Sequence, residues 1–560
     1  MMFKPLNILF LAATFLLSQA TLMGQLTSSN LPIVVINTNG QTIQNTTKIT
    51  ADMGIISNPG GARNYLTDPF NHYNSKIGIE LRGSSSQQFP KKPYAFETRD
   101  AAGNNNNVPL LGLPSENDWI LNATYNDKTL MRDVLMYNLS NVAGRYASRS
   151  KYCEVILNGQ YIGVYILMEK IKTDKNRVDI KKMTPEDITG DNLTGGYIIK
   201  IDKLDGEQVQ GWQSPNLPYP GSPFKTFYQY HIPKPDDIVN AQKDYIKNFI
   251  SNFENVMKGN NFENPLTGYP SIFDENSLAD FYLFNEFAKN VDGFRLSTFM
   301  HKDRDSRNPK MIMGPIWDFN IALGNANYYG AAPPEGWQID NLTTDTWFLQ
   351  NDGFQVPFWW KKLRTGDRFA AKLKVRWEVL KNHALNKDRI FAVIDSLVTY
   401  LEESRIRNFQ KWQILSQYVW PNPFVGHTYQ AEISYLKNWI SSRLAWMDTE
   451  IDLLYTGIQN ESPSPNSFSI SSYPNPLLSG SDLNLRIHSP GFAELKLTLY
   501  DVRGSIISED VPQILNQGTH DLSFSLQNLN LSSGVYFLTA VYISENGNYL
   551  RETRKISIVK

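Results

Sequence analysis

The spacing of apolar residues changes partway along the chain, and this change limits the folds that the chain can adopt. Between residues 31 and 201, short runs rich in β-branched residues alternate with turn residues, which is typical of strands. From residue 242 to 455, apolar residues instead recur at helical spacing. A strand-rich half followed by a helix-rich half predicts an α+β domain of two lobes with a cleft between them.

Individual elements follow from the same patterns. The strands are predicted at 31–37, 77–82, 94–98, 152–157, 161–168 and 196–202. Asn158-Gly159, between two of these strands, predicts a hairpin. The helices are predicted at 242–257, 278–289, 369–382, 390–408 and 429–455.

The first 24 residues have the composition of a signal peptide. Lys4 precedes an apolar stretch, Leu6–Leu17, and small and polar residues follow up to Gly24. The stretch is too short to span a bilayer comfortably, and no later run approaches the roughly 20 apolar residues of a membrane helix. We therefore expect residues 1–24 to be cleaved, the mature chain to have no transmembrane helix, and its location to be outside the cytoplasm.

The composition changes again near residue 458. Residues 458–470 are rich in Ser, Pro and Asn, which predicts a linker, and residues 471–560 alternate like the strands of a small β-sandwich. The tail resembles the C-terminal sorting domain of type IX secretion cargo in Bacteroidetes, with Tyr473-Pro-Asn-Pro, Leu499-Tyr-Asp-Val-Arg-Gly and Leu531-Ser-Ser-Gly-Val-Tyr in order. The resemblance implies recognition by the type IX secretion machinery, then release or attachment at the cell surface. The alternative is an ordinary β-sandwich used for binding.

Composition excludes several classes of function. The formal net charge of −1 gives no global attraction to nucleic acid or to an anionic membrane. The single cysteine, Cys153, excludes an internal disulfide and a Cys/His zinc cluster, and its apolar surroundings predict a buried, inert thiol. The motifs of zinc hydrolases, α/β-hydrolases, P-loop proteins and Rossmann enzymes are absent from the sequence.

Four polar features remain as candidates for chemistry. The segment Arg82-Gly83-Ser84-Ser85-Ser86, with Lys91 and Lys92 close behind, combines a glycine, hydroxyls and cations that can cradle phosphate, although a solvated hairpin fits it too. Glu169 ends an apolar strand, so it is either a surface residue or a buried carboxylate paired with a lysine. Asp292 and Asp318 follow apolar segments on loops, as metal ligands or a catalytic base do, or as structural loop caps do.

Residues from about 31 to 455 contain distinctive stretches in a fixed order: Arg82-Gly-Ser-Ser-Ser, Lys91-Lys-Pro-Tyr, Leu111-Gly-Leu-Pro, Asn117-Asp-Trp-Ile-Leu, Asp127-Lys-Thr-Leu-Met-Arg, Asn158-Gly-Gln-Tyr-Ile-Gly-Val-Tyr, Asn290-Val-Asp-Gly and Gly314-Pro-Ile-Trp-Asp-Phe-Asn. This series resembles the CotH family of atypical kinases, specifically its exported Bacteroidetes members. The resemblance implies a two-lobed protein-kinase-like domain over residues 25–457, followed by the β-sandwich domain. It also implies phosphoryl transfer from ATP to Ser or Thr of a protein substrate.

The resemblance also implies a role for each candidate residue. Lys92, or Lys91, would hold the nucleotide phosphates beside the 82–86 loop, and Glu169 would pair with that lysine. Asp292 would accept the proton of the acceptor hydroxyl. Asp318 would hold Mg²⁺ (or Mn²⁺), with Asn320 as a further ligand because Ser297 stands where kinases place a metal-binding Asn.

A second hypothesis is a catalytically inactive cell-surface protein of the same fold that binds carbohydrate or protein. Exposed aromatic rings stack on sugars, although most tryptophans belong to cores. The tryptophans on which this hypothesis depends are Trp337, Trp347, Trp359, Trp360, Trp412 and Trp420.

Overall fold

The computed structural model describes residues 26–204, 209–344, 346–455, 468–502, 504–527, 529, 531–544 and 549–559. The predicted signal peptide and most of the predicted linker lie outside these residues. The chain divides into two compact units, Met1–Gly457 and Ile458–Lys560, each described here by itself. Both strands and helices form the first unit, in agreement with the predicted α+β class.

The strands of the first unit begin soon after the start of the described chain. In chain order they are β1 (Ser28–Ser29), β2 (Ile33–Asn37), β3 (Ile49–Ile56), β4 (Asn64–Tyr65), β5 (Tyr73–Leu81), β6 (Tyr94–Thr98), β7 (Asp118–Asn122), β8 (Ser150–Leu157), β9 (Gln160–Glu169), β10 (Tyr197–Ile201), β11 (Gly211–Gln213), β12 (Phe227–Ile232), β13 (Thr298–Lys302) and β14 (Met311–Met313).

Seven of these strands close into a barrel in the order β2-β3-β5-β6-β7-β9-β8. Parallel pairing of β2 with β8 completes it, with Ile33 opposite Glu154. Alternate apolar residues of the strands form one buried cluster, as the period of two requires. The predicted hairpin is confirmed as β8 and β9, because Asn158 and Gly159 both take the positive φ angles that such a turn needs, 51° and 76°.

The remaining longer strands form an antiparallel sheet in the order β11-β12-β10-β13-β14. Two of its strands end beside residues that matter below, one of them in a stretch that the sequence singled out. Strand β10 ends next to Asp202, and β14 ends at the residue before Gly314.

The helices of the first unit lie mostly in its second half. They are α1 (Arg132–Val142), α2 (Gly190–Leu193), α3 (Asn240–Lys258), α4 (Glu275–Ala288), α5 (Gln338–Thr344), α6 (Thr346–Asn351), α7 (Phe358–Arg364), α8 (Asp367–Lys381), α9 (Lys387–Tyr400), α10 (Glu402–Lys411) and α11 (Tyr429–Tyr455). Helix α4 is buried on all sides from Ser277 to Ala288, so it is the central helix of the core.

One helix prediction is wrong. The pattern from 390 to 408 indicated a single helix, but the structure breaks it at Leu401 into α9 and α10. After the break, α10 packs against β9, where the Asn408 side-chain oxygen accepts the Val164 N–H at 3.1 Å. The buried side chain of Leu401 keeps the apolar spacing continuous through the break, so the pattern does not reveal it.

The second unit contains strands only, in its described part. They are β15 (Ser469–Tyr473), β16 (Leu477–Leu478), β17 (Leu483–Ser489), β18 (Ala493–Tyr500), β19 (Ile506–Glu509), β20 (Gln513–Leu515), β21 (Gly518–Phe524), β22 (Gly534–Ser544) and β23 (Tyr549–Val559). One sheet has the order β15-β17-β21, and the other has the order β16-β23-β22-β18-β19 with β20 also on β18. Both sheets contribute to one buried apolar cluster. Across the described residues of the chain, no helix is both long enough and apolar enough to cross a membrane.

Candidate active site

A cavity of about 960 Å³ lies at one end of the barrel. Its wall combines barrel ends, α1, the end of β10 and two loops of the second half of the unit. The polar residues that line it include Lys48, Glu80, Arg82, Ser84, Ser85, Ser86, Asn122, Asn126, Asp133, Tyr137, Lys200, Asp202, Lys203, Asp292, Ser297, Asp318 and Asn320.

The structure brings most of the sequence-predicted residues together at this cavity. Arg82, Gly83, Ser84, Ser85, Ser86, Asp292, Asp318 and Asn320 all line it. Lys91, Lys92 and Glu169 do not.

The loop that follows β5 requires its glycine. Gly83 has a φ of +90°, and a Cβ there would lie 2.0 Å from Ser86 Oγ. The chain then makes a single 3₁₀ turn, Ser85–Gln88. This compact turn leaves the backbone and hydroxyls of the loop at the cavity wall.

Arg82 supplies a cation with no ionic partner at the cavity. Its guanidinium lies 5.6 Å from the centre of the Trp317 ring, and within the described chain it forms no hydrogen bond or ion pair. Burial lowers the pKa of Arg82, while the negative charge of Asp318 opposes that effect. Such a group is suited to binding an anion that enters the cavity.

Lys92 supports the loop and does not line the cavity. Its Nζ donates to the Gln87 carbonyl at 2.6 Å. Lys91 is 2% exposed and points to the other side, where its Nζ donates to the Val164 carbonyl and, at 3.0 Å, to Asn408 Oδ1. The two adjacent lysines therefore connect neighbouring parts of the protein.

Glu169 pairs with an arginine, so the predicted Lys92–Glu169 pair is not formed. Glu169 is fully buried and accepts from Arg149 Nε at 3.0 Å and Nη2 at 2.7 Å. The cause is strand pairing: β8 and β9 are antiparallel, and the Glu169 N–H donates to the Arg149 carbonyl at 3.1 Å. Strand pairing thus places the arginine beside the carboxylate, in the position that a lysine partner would need.

Asp292 follows the central helix directly. Helix α4 ends at Ala288 and is followed by Lys289, which has a left-handed φ of 44°. The Asp292 N–H then donates to Asn290 Oδ1 at 3.1 Å. Burial raises the pKa of the Asp292 carboxyl, against the opposing charges of Arg295 and Lys203. Its nearest cation is Arg295, with Nη2 at 3.7 Å, so the carboxylate is oriented without a close hydrogen bond to a cation.

Asp318 has a left-handed backbone conformation, which surrounding contacts must stabilise. Its φ of 65° is left-handed, which is uncommon for a residue with a Cβ. Burial, Asp133 and Asp292 together raise the pKa of Asp318 to about 8. Two residues later, the Asn320 amide donates to Asn126 Oδ1 at 3.0 Å, which leaves its own side-chain oxygen for a ligand.

Residues 79–447 match the family model described as CotH kinase protein. This match covers more than half of the chain and contains the 82–86 loop, Asp292 and Asp318. The chain belongs to the CotH kinase family. The resemblance found in the sequence is thereby confirmed at the level of the family.

The other comparisons add no functional information on this CotH-family chain. No curated protein matches it. Of the solved structures, 26 chains match. One is dimeric latent PorU from Porphyromonas gingivalis, with 17% identity and a TM-score of 0.15, covering 18% of this chain and 10% of the PorU chain. So low a TM-score supports no argument about the fold.

Several cavity residues of this CotH chain were missed in the sequence. Lys48 lies 2.6 Å from Glu97 and 3.6 Å from Glu80, and this lysine and Glu80 both line the cavity. Asp133 and Asp202 line it as well. Asp133 follows the Asp127-Lys-Thr-Leu-Met-Arg stretch that carried the resemblance, and Asp202 ends a predicted strand. The positions of Asp133 and Asp202, directly after or at the end of these recognised segments, could have identified them as candidates.

The residues present fit a divalent cation that a nucleotide helps to hold. In the described part of the chain, no three His, Cys, Asp or Glu side chains are grouped as a metal site. Mg²⁺, however, usually takes only one or two carboxylates, with water and substrate phosphates as its other ligands. Asp318 and the free oxygen of Asn320 fit that pattern, and a cation would relieve the repulsion that raises the pKa of Asp318.

The tryptophans of the second hypothesis divide into two groups. Trp337, Trp359 and Trp360 are buried in the main core, and Trp412 donates its indole N–H to the Ile162 carbonyl at 3.0 Å. Trp347 and Trp420 are 60% and 48% exposed, and Trp420 also borders the cavity. Only these last two are available to a ligand.

Proposed function

We propose that this chain is an exported atypical protein kinase that transfers the γ-phosphoryl group of ATP to Ser or Thr hydroxyls of a protein. The observation that supports this most strongly is the composition of one cavity. Lys48 and Arg82 lie on the barrel side, while Asp292 and Asp318 lie on loops of the helix-rich half. The proposal includes a two-lobed kinase-like layout, with the barrel as one lobe and the helix-rich half as the other.

The cationic residues bind the polyphosphate of ATP in this proposal. Arg82 forms no ion pair with the described residues, and Ser84, Ser85 and Ser86 line the cavity with it. Lys48, which lies 2.6 Å from Glu97 and 3.6 Å from Glu80, takes the role that the family resemblance gave to Lys92. These two glutamates take the role that it gave to Glu169. Both cations are placed to neutralise phosphate charge, because Lys48 directly precedes β3 and Arg82 directly follows β5.

The two carboxylates have different roles, metal binding for Asp318 and proton acceptance for Asp292. Asp318, with Asn320, would hold Mg²⁺ (or Mn²⁺), which would neutralise negative charge on the phosphates. Asp292 orients the acceptor hydroxyl and accepts its proton. The hydroxyl oxygen forms a bond to the γ-phosphorus as the bond to the bridging oxygen breaks, and ADP leaves.

Calorimetric titration with MgATP distinguishes this proposal from an inactive surface protein. A kinase site binds MgATP, and Asp318→Ala weakens that binding. The inactive protein would show no heat of MgATP binding, and it would instead bind soluble oligosaccharides or proteins through Trp347 and Trp420.

Export is the second part of the proposal. It is supported by the composition of residues 1–24 and by the ordered motifs of the tail, which lie in a separate unit. The β-sandwich and the sorting function of residues 471–560 belong to this proposal. In a host with type IX secretion, deletion of residues 471–560 should trap the protein in the periplasm. Its normal appearance outside the cell would contradict the sorting role.

A further inference from the structure

Two side chains of α1 hold the backbone of the loop that carries Asp318. The Asp318 N–H donates to the Tyr137 hydroxyl at 3.0 Å. The next N–H, that of Phe319, donates to Asp133 Oδ1 at 2.7 Å. Two successive backbone donors are therefore bound by two residues one helical turn apart.

Both acceptors are themselves fixed. Asp133 is 3% exposed, and its second oxygen accepts from Asn122 Nδ2 at 2.9 Å. Tyr137 is 2% exposed, and its ring stacks on Trp317, the residue before Asp318, at 5.9 Å between centroids. Residues four apart on a helix lie on one face, so the two acceptors form a single rigid edge.

The loop needs such support because of its conformation. The left-handed backbone of Asp318 is disfavoured for a residue with a Cβ, so it persists only when surrounding contacts fix it. The contacts made by Tyr137 and Asp133 lie on each side of the Asp318 Cα, at the peptide bonds before and after this residue. On the other face of the loop, the Asn290 amide donates to the Asp318 carbonyl at 3.4 Å.

We infer that Asp133 and Tyr137, which we call the α1 clamp, are positioning residues that hold the Asp318 carboxylate towards the cavity for metal binding. The inference rests on the proposed function, because it assigns the cation to Asp318. Groups that orient a metal ligand typically contribute a factor of about 10–100 in metal affinity.

The test is a Mn²⁺ titration of the full chain with excess non-hydrolysable ATP analogue, followed by electron paramagnetic resonance of free Mn²⁺. Tyr137→Phe removes only the hydroxyl, and we expect it to weaken Mn²⁺ binding by about tenfold or more. Tyr152→Phe is the matched control, because that buried hydroxyl donates to the Leu130 carbonyl at 2.8 Å just before the same helix. It should leave Mn²⁺ affinity within about twofold of wild type, since it touches no part of the loop.

Asp133 provides an independent pair of variants. Asp133→Asn and Asp133→Ala both remove the negative charge, but only Asn keeps an acceptor for the Phe319 N–H. The clamp therefore predicts weaker Mn²⁺ binding for Asp133→Ala than for Asp133→Asn. Circular dichroism tests whether each variant is folded. If Tyr137→Phe is unfolded, the comparison of Asp133→Ala with Asp133→Asn decides whether the clamp positions Asp318.

Three results would overturn the inference. The first is that Tyr137→Phe binds Mn²⁺ with the same affinity as Tyr152→Phe, and that Asp133→Ala and Asp133→Asn also have equal Mn²⁺ affinities. The second is unaltered binding in Asp318→Ala, and the third is unfolding of both Tyr137→Phe and Asp133→Ala. Failure of the kinase proposal looks different: the Mn²⁺ pattern holds, but no phosphate is transferred.

Discussion

Replacing Lys91 with Met tests whether this lysine is a buried structural group, as its position indicates, or part of a phosphate site. Burial lowers the pKa of Lys91 from 10.5 to about 7, because no carboxylate of the described residues pairs with its ammonium in the barrel wall. In the unfolded chain the lysine regains its ordinary pKa. Between pH 7 and 10.5 the unfolded state thus binds one more proton, so wild-type stability rises with pH by roughly 1.4 kcal/mol per unit.

Lys91→Met lacks this proton and this slope. We expect its free energy of unfolding, relative to wild type, to fall by about 2.7 kcal/mol between pH 7.5 and 9.5. Urea denaturation followed by tryptophan fluorescence measures this, because all 12 tryptophans lie in the first unit. A difference that stays constant with pH would refute the argument. MgATP affinity of the folded variant should equal that of wild type, since Lys91 does not line the cavity.

Other substitutions separate binding from structure. Arg82→Ala should raise the KM for MgATP by about tenfold or more, since a hydrogen bond to a charged group is worth about 1.5–3 kcal/mol. The control, Lys92→Met, should change this KM much less. Equal effects of the two substitutions would contradict these assignments. Glu169→Gln should lower the free energy of unfolding by about 3 kcal/mol, because Arg149 and Arg177 lose their carboxylate, with MgATP affinity of the folded fraction unchanged. Burial and neighbouring carboxylates raise the pKa of Asp318 to about 8. Mn²⁺ affinity should therefore fall about tenfold for each pH unit below 8, because a proton competes for the carboxylate, and it should be constant above pH 8. A Mn²⁺ affinity independent of pH from 6 to 9 would exclude this carboxyl as a ligand.

Local patterns predicted only part of the first unit. The strands β2, β5, β6, β8, β9 and β10 and the helices α3, α4, α8 and α11 were predicted, whereas β7, β12, β13 and α1 were not. The β8–β9 hairpin follows from Asn158-Gly159, and α4 and α11 follow from apolar spacing, because these signals act between residues close in sequence. Closure of the barrel by β2 and β8 could not be predicted, since it joins Ile33 to Glu154 and depends on packing of the whole sheet. The break at Leu401 was invisible for a similar reason.

The contrast between local signals and long-range packing also explains which residues of the candidate site could be predicted. Asp292 and Asp318 were found because each stands on a loop in an apolar stretch, and the fold brings both loops to one cavity. The lysine–glutamate pair was assigned wrongly, because the direction of each side chain depends on tertiary context. Lys91 and Lys92 are adjacent yet bond to Asn408 and Gln87, respectively. Glu169 is committed to Arg149 by strand pairing that no local motif displays.

The most direct test of the central claim is transfer of labelled phosphate from ATP to protein in the presence of Mg²⁺ or Mn²⁺. Wild type should label Ser or Thr residues of an acceptor protein. Asp292→Asn should lose most of this transfer while still binding MgATP, because it removes the base and keeps the shape, and Asp318→Ala should lose both transfer and metal binding. Equal incorporation by all three proteins would contradict the account.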